Sequence, residues 1–104
     1  MAEVGVFNAL ANPVRRKLLE ALRDGPRAAG DLAGEFVLSR PAVSEHLAVL
    51  RNARLVREES RGRHRYYHLE PAPLAEVSEW LHPFEHYWRT RMRALSDLMD
   101  EENP

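Results

Sequence analysis

The amino-acid sequence predicts a mainly α-helical fold with one small β-hairpin and a long helix toward its C-terminal end. Three observations predict it. Apolar residues recur at helical spacing through roughly the first fifty positions and again from about residue 73 to residue 100. Between these blocks, residues 55–69 have strand character around a central glycine. The chain has 104 residues, room for one hydrophobic core but not for two, so a single domain, 1–104, is expected. Charged residues make up 30% and apolar residues 44%, the balance of a globular protein and not of a disordered one.

Val4, Phe7, Leu10 and Ala11 share a helical face, which predicts a first helix within residues 1–11. Asn12-Pro13 then supplies an N-cap and a first-turn proline, ending this helix and starting another. In the second helix Val14, Leu18, Leu19 and Leu22 form the apolar stripe, while Arg15, Arg16, Glu20 and Arg23 stay outside; Asp24-Gly25-Pro26 stops it. A short third helix is expected over Ala29 to Phe36, with Leu32, Ala33 and Phe36 inward. After a turn at Leu38-Ser39, Ser39 is a natural N-cap and Pro41 fits the first turn of a fourth helix running to Ala53. Val43, His46, Leu47 and Leu50 make its buried stripe, and residues 29–53 together have the layout of a helix-turn-helix.

The opposite face of the fourth helix carries Arg40, Pro41, Ser44, Ala48 and Arg51, flanked by Ala42 and Glu45. Long side chains there would hold the backbone away from any surface it approached. A short, hydroxyl-bearing face with arginines at both ends suits entry into a groove, and the major groove of DNA admits a helix of this kind. Taken alone, the helix fits equally well as a surface helix with ordinary small residues. The next segment adds weight to the first reading. Leu55 to Ser60, Arg61-Gly62-Arg63 and His64 to Leu69 describe two strands around a turn, and Arg61, Arg63 and Arg65 beside His64 make its tip basic, suited to phosphates or a narrow minor groove. Tyr66, Tyr67 and Leu69 are expected to pack. The net charge of -1 conceals the same asymmetry: residues 39–68 hold seven basic and three acidic side chains, residues 69–104 three and eight.

Helix, helix, turn, helix and basic hairpin make a winged helix-turn-helix. The segments "FNALANPVRRKLLEAL", "AGDLAGEFVLSRPAVSEHLAVLRNARLV" and "GRHRYYHL" resemble the arsenical-resistance-repressor (ArsR) family of small dimeric bacterial repressors, over about residues 5–70. The resemblance implies that Ser39 to Ala53 is a recognition helix, with Arg40, Ala42, Ser44 and Glu45 toward DNA, and that the hairpin, residues 55–69, is the wing. With the outward face read above, the expected DNA-binding set is Ser39, Arg40, Pro41, Ala42, Ser44, Glu45, Ala48, Arg51, Arg61, Gly62, Arg63, His64 and Arg65. His46 stands where the family has a histidine, but its spacing places it with the core. Arg54 departs from the family, which commonly has glycine before Leu-Val; that position favours a left-handed residue, so local strain or a different cap is expected.

From Pro73 to Asp100 the residues Leu74, Val77, Trp80, Leu81, Phe84, Trp88, Met92, Leu95, Leu98 and Met99 repeat at helical spacing. Pro83 should kink this helix or divide it near His82. The stripe exceeds what a small core can cover, which points to a second subunit, the alternative being a helix folded back on its own chain. The resemblance implies that the first and last helices, 1–11 and 73–100, build a two-fold dimer. Val6, Phe7 and Leu10 would join Trp80, Leu81, Phe84, Tyr87, Trp88, Met92 and Leu95 there.

The chain contains no cysteine, which excludes disulfides and thiolate metal sites. Members of the family often bind metal through thiolates in the helix before the recognition helix; here that helix reads "AAGDLAGEF", so the resemblance is to a thiol-less subgroup. A second family position uses histidine and carboxylate on the last helix, where Glu79, His82, Glu85 and His86 fall. Although His82 and His86 are at i, i+4, Pro83 intervenes and the aromatic stripe accounts for the segment without metal. No metal and no cofactor are expected. "HPFEH" formally fits H-x-x-E-H, but a zinc hydrolase needs a third ligand and a cleft, so no enzyme is expected. No membrane span or secretory signal is visible, which predicts a cytoplasmic protein. The expectation is a homodimeric regulator, a repressor at a palindromic operator, with its effector open between a small organic molecule, a protein partner and none. The competing class is a winged-helix protein-interaction module, which would lack salt-sensitive DNA affinity.

Overall fold

Nine elements follow one another in the computed structural model, which describes residues 5–102. Helix α1 (Val6–Leu10) leads to α2 (Pro13–Ala21), a single 3-10 turn (Leu22–Asp24), strand β1 (Arg27–Ala28), α3 (Ala29–Phe36), α4 (Arg40–Asn52), β2 (Val56–Arg61), β3 (His64–Leu69) and α5 (Leu74–Glu102). The first helix is shorter than expected, and Val4 with the rest of residues 1–4 lies outside the described residues.

The boundaries follow from local chemistry. The Asn12 side chain accepts hydrogen bonds from the amides of Val14 and Arg15 at 2.8 and 3.1 Å, satisfying two of the orphan donors at the start of α2, while Pro13 has no amide to satisfy. Arg15 and Arg16 reach back to the carbonyls of Asn8, Ala9 and Leu10, tying α1 to α2. The Ser39 Oγ accepts from the Ala42 amide at 3.2 Å and caps α4 as its sequence predicts.

Both helices of the helix-turn-helix end in the same way. Leu38 donates to the Ala33 carbonyl and Leu55 to that of Leu50, each at 3.0 Å, and the residues before them, Val37 and Arg54, have φ of 53° and 63°. This is the left-handed cap usually given to glycine, occupied twice by residues with a Cβ. The Arg54 departure is thus resolved in favour of strain: the cap is the ordinary one, made with arginine.

The core gathers Leu18, Leu22, Leu32, Val43, Leu47, Leu50 and Leu55, with Val6, Ala9 and Tyr67 at its margin. Each fully buried leucine contributes about 1.5 to 3 kcal/mol of transfer free energy. His46, expected in the buried stripe, is half-buried beside it.

A third strand corrects the simple hairpin. Arg27 and Ala28 pair antiparallel with Tyr67 and Tyr66, giving the order β1-β3-β2. Two residues next to a proline carry no period that would announce a strand; the pairing exists because the chain passes the free edge of β3. Between β2 and β3 the register runs from Val56 opposite Leu69 to Arg61 opposite His64, which leaves a two-residue turn, Gly62-Arg63. Gly62 takes φ of 60° there, a conformation that suits a tight hairpin and that a side chain would strain.

Pro83 does not divide the last helix. α5 is continuous for 29 residues, roughly 43 Å at 1.5 Å per residue, with Pro83 inside it. It costs the helix one amide donor, toward the carbonyl of Glu79, and the flanking turns continue the rod. Phe7 packs edge-on against Trp80 at 5.9 Å, and Trp80 against Phe84 at 5.0 Å, anchoring the start of α5 on α1. Beyond that anchor α5 projects, and the chain measures 62 × 33 × 20 Å.

Candidate nucleic-acid interface

Across one side of the molecule, α4 and the β2–β3 hairpin face each other over a cleft of about 580 Å³. Arg40 and Ser44 from α4 line one wall, and Arg63, His64 and Arg65 line the other. The floor is formed by Ala28 at the end of β1 and the start of α3, Ala29 to Asp31, and Tyr67 completes the lining. Residues far apart in the chain are brought together because α4 packs on α2 and α3 through Val43, Leu47 and Leu50, while the hairpin is held by Val56 and Tyr67 against the same core.

Arg40, Pro41, Ser44, Glu45 and Arg51 are exposed on α4, as is the capping Ser39. Ala42 and Ala48 are half-buried, a correction for Ala48, which the helical spacing placed on the outer face. Gly30 explains the position of Arg40: a Cβ at Gly30 would stand 3.2 Å from Arg40 Nη2, so the absence of a side chain leaves room for the guanidinium at the cleft floor. Gly30 and Asp31, which also line the cleft, were not expected from the sequence. "AAGD" carries no motif, and only the fold of α3 against α4 brings it beneath the cleft.

The sheet sorts its charges by face. Residues 58, 65 and 67 lie on one face of the hairpin and 59, 61, 64, 66 and 68 on the other. On the first, Glu58 Oε2 takes hydrogen bonds from Arg51 Nη1 at 2.7 Å and from the Tyr67 hydroxyl at 3.2 Å, while Oε1 lies 3.5 Å from Arg65 Nη1. On the second, Glu59 Oε1 pairs with Arg61 Nε at 2.7 Å and with His68 Nε2 at 3.1 Å, and the Arg61 guanidinium lies over the Tyr66 ring at 4.9 Å. The His68 hydrogen bond, reinforced by Arg61, holds the Glu59 carboxyl below the usual carboxylate range. Burial, then the Glu58 carboxylate, raises the Tyr67 phenol above its ordinary value. Arg63, at the turn, forms no ion pair among the described residues, so the tip of the wing presents an uncompensated cation.

The expected dimer residues divide. Phe7, Trp80, Phe84, Tyr87, Trp88, Met92 and Leu95 are exposed apolar side chains, Leu98 and Met99 extending the stripe. Leu10 and Leu81 are half-buried. Val6 is a correction: at 4% exposure it belongs to the chain's own core and offers nothing to a partner, because the short α1 turns it inward with Ala9. Along α5, His82 and His86 are exposed and Glu85 is half-buried, and no three metal-ligating side chains gather among the described residues. No described helix is long and apolar enough to cross a membrane.

A recognition helix and a basic wing bordering one cleft define a winged-helix DNA-binding regulator. Comparison with known proteins agrees. Residues 12–58 match the family model for the bacterial regulatory proteins of the arsR family. The HTH-type transcriptional regulator Rv2034 of Mycobacterium tuberculosis is 41% identical over 96 residues, covering 92% of this chain and 87% of that protein. Transcriptional repressor SdpR of Bacillus subtilis is 37% identical over 76 residues, covering 73% of this chain and 84% of that protein. A crystal structure of the ArsR family transcriptional regulator RHA00566 superposes with a TM-score of 0.71 at 33% identity, covering 82% of this chain and 88% of that one. The chain belongs to the ArsR family of transcriptional regulators.

Proposed function

We propose that this regulator is a homodimeric repressor that reads an imperfect palindrome, placing one α4 in each of two major grooves about one helical turn apart. The observation that carries this reading is the cleft in which Arg40 and Ser44 of α4 face Arg63 and Arg65 of the wing. A helix seated in the major groove brings its exposed face to base edges, while the wing meets the flanking phosphates or minor groove. Ser39, Arg40, Pro41, Ser44, Glu45 and Arg51 form the helix part of the interface, with Ala42 and Ala48 permitting close approach. Arg61 to Arg65, with Gly62 at the turn and His64 beside it, form the wing part. The uncovered stripe of α5, Trp80 to Leu95, supports the dimer, since apolar area of this kind is stable in water chiefly when a partner covers it. Such a protein acts where the chromosome is, in the bacterial cytoplasm. No metal or cofactor is assigned; the effector is a small organic molecule, a protein partner, or none.

The experiment separates helix from wing, using a duplex selected from random DNA by the wild-type protein. Arg63→Ala should weaken selected and random duplexes alike and lower the salt slope by about one unit per lost phosphate contact. Arg40→Ala and Ser44→Ala should cost the selected duplex roughly 1 to 3 kcal/mol and leave random DNA nearly unchanged. If none of the three alters affinity for any duplex, the cleft is not the interface and a protein-interaction role takes its place.

A further inference from the structure

Glu58 stands out because a carboxylate is an unexpected neighbour for a surface built to meet a polyanion. Its side chain is only 19% exposed, and both of its oxygens are engaged. The three groups it touches come from different parts of the DNA-facing surface. Arg51 belongs to the last turn of α4, Tyr67 is its cross-strand partner on β3, and Arg65 is the diagonal neighbour on the same face of β3. Tyr67 is itself fixed from the far side, because it pairs with Arg27 of β1 and is buried in the core. The only other acid on the hairpin strands, Glu59, lies on the opposite face and holds Arg61 and His68, so it does not share this role.

We propose that Glu58 is a positioning residue for DNA recognition: it locks the C-terminal turn of the recognition helix to the wing and so sets the separation between the two DNA-contacting elements before DNA arrives. The inference rests on the DNA-binding reading of the cleft. A bridge through one carboxylate to a guanidinium and a phenol restricts both direction and distance, because the Arg51 bond is a short charge-assisted one at 2.7 Å and the Tyr67 hydroxyl, at 3.2 Å, holds the same oxygen from the neighbouring strand. Holding helix and wing at one spacing favours the duplex whose groove geometry matches that spacing. It contributes little to binding DNA of arbitrary sequence, which needs only positive charge.

Charge and positioning predict opposite signs, which makes the idea testable. If Glu58 were merely a negative charge near phosphates, Glu58→Gln would tighten every duplex. If it positions helix and wing, Glu58→Gln should weaken the selected duplex about tenfold, the size of one charge-assisted hydrogen bond, while random DNA tightens by about twofold. Arg51→Ala combined with Glu58→Gln should then lose less than the product of the single losses, since both remove the same bridge. Circular dichroism and thermal melting of each variant identify any loss of affinity caused by unfolding; should Glu58→Gln melt early, Tyr67→Phe carries the test, because it removes only the phenol's hydrogen bond to Glu58, keeps the ring in the core and takes no charge from the DNA-contacting set. Equal tightening of both duplexes, or an unchanged ratio between them, overturns the positioning role while leaving the DNA interface intact. A wild-type protein without salt-sensitive affinity for any duplex overturns the interface and the positioning role together.

Discussion

Val37→Gly should stabilise this protein, and the structure states why in one backbone angle. Val37 holds φ 53° and ψ 47° at the end of α3, and its side chain is 90% exposed. A residue with a Cβ pays about 1 to 2 kcal/mol for the left-handed region, and a β-branched one sits there rarely. Because the side chain is almost wholly in water, removing it forfeits little burial. Against the relief stands the greater freedom that glycine gives the unfolded chain, about 0.5 to 1 kcal/mol. The difference leaves a gain of about 0.5 to 1 kcal/mol. At about 4 to 8 °C per kcal/mol for a domain near 100 residues, that is a rise in Tm of roughly 2 to 8 °C. The assay is thermal unfolding by circular dichroism at one fixed protein concentration, because a self-associating chain melts at a concentration-dependent temperature. Val37→Ala, which keeps the Cβ but removes the branch, should gain less. A Val37→Gly protein that melts below wild type would refute the strain argument, since glycine would then be behaving as it does at an ordinary negative φ.

Three other outcomes are expected. Trp88→Ala with Phe84→Ala should weaken self-association, at roughly 2 kcal/mol for each substitution summed over both subunits, enough to raise a dimer dissociation constant by about two to three orders of magnitude; analytical ultracentrifugation at micromolar concentration reads this, and a monomeric wild type would dispose of the dimer. Arsenite should leave DNA binding unchanged, because no thiol is present to bind it, whereas stoichiometric release from the selected duplex would show that the ligand argument is wrong. In an ultraviolet titration the raised Tyr67 phenol should ionise above the ordinary phenol range, and Glu58→Gln should bring it down; since its folded value lies above the unfolded one, the stabilisation is complete below about pH 10 and is lost as pH rises through the folded value. A Tyr67→Phe protein whose titration loses no high-pH component relative to wild type would contradict the raised Tyr67 phenol.

Helix positions were legible wherever a local rule acts within a few residues. Asn12-Pro13 and Ser39 with Pro41 are capping chemistry, and the apolar repeats of α2, α3 and α4 register the one face each helix can bury. The hairpin was legible because Gly62 permits a tight turn between two runs of strand-forming residues. Where the signal was weak, the reading failed in a consistent way. β1 is two residues long and exists by courtesy of the β3 edge. Ala48 was placed outward by helical spacing, but half-burial depends on what packs beside the helix. Val6 shares its apolar character with Phe7, and nothing in either residue says which faces the core and which faces out. Pro83 invited a break that the continuous turns on both sides of it prevent.

By itself the sequence determined the helices, the hairpin, most of the apolar faces and the basic tip of the wing, because capping, periodicity and turn formation are decided by neighbours along the chain. It also determined that no thiol chemistry is available. Only the tertiary structure decided which charges meet. Glu58 and Glu59 are adjacent in sequence and equivalent by composition, yet strand pleating sends them to opposite faces, one to bind Arg51, Tyr67 and Arg65 and the other Arg61 and His68. The same packing brings Gly30 under Arg40 and sets the wing across the cleft from α4. Electrostatic contacts act over a few ångströms through space, so their partners are assigned by the way the core closes and not by the order of the residues.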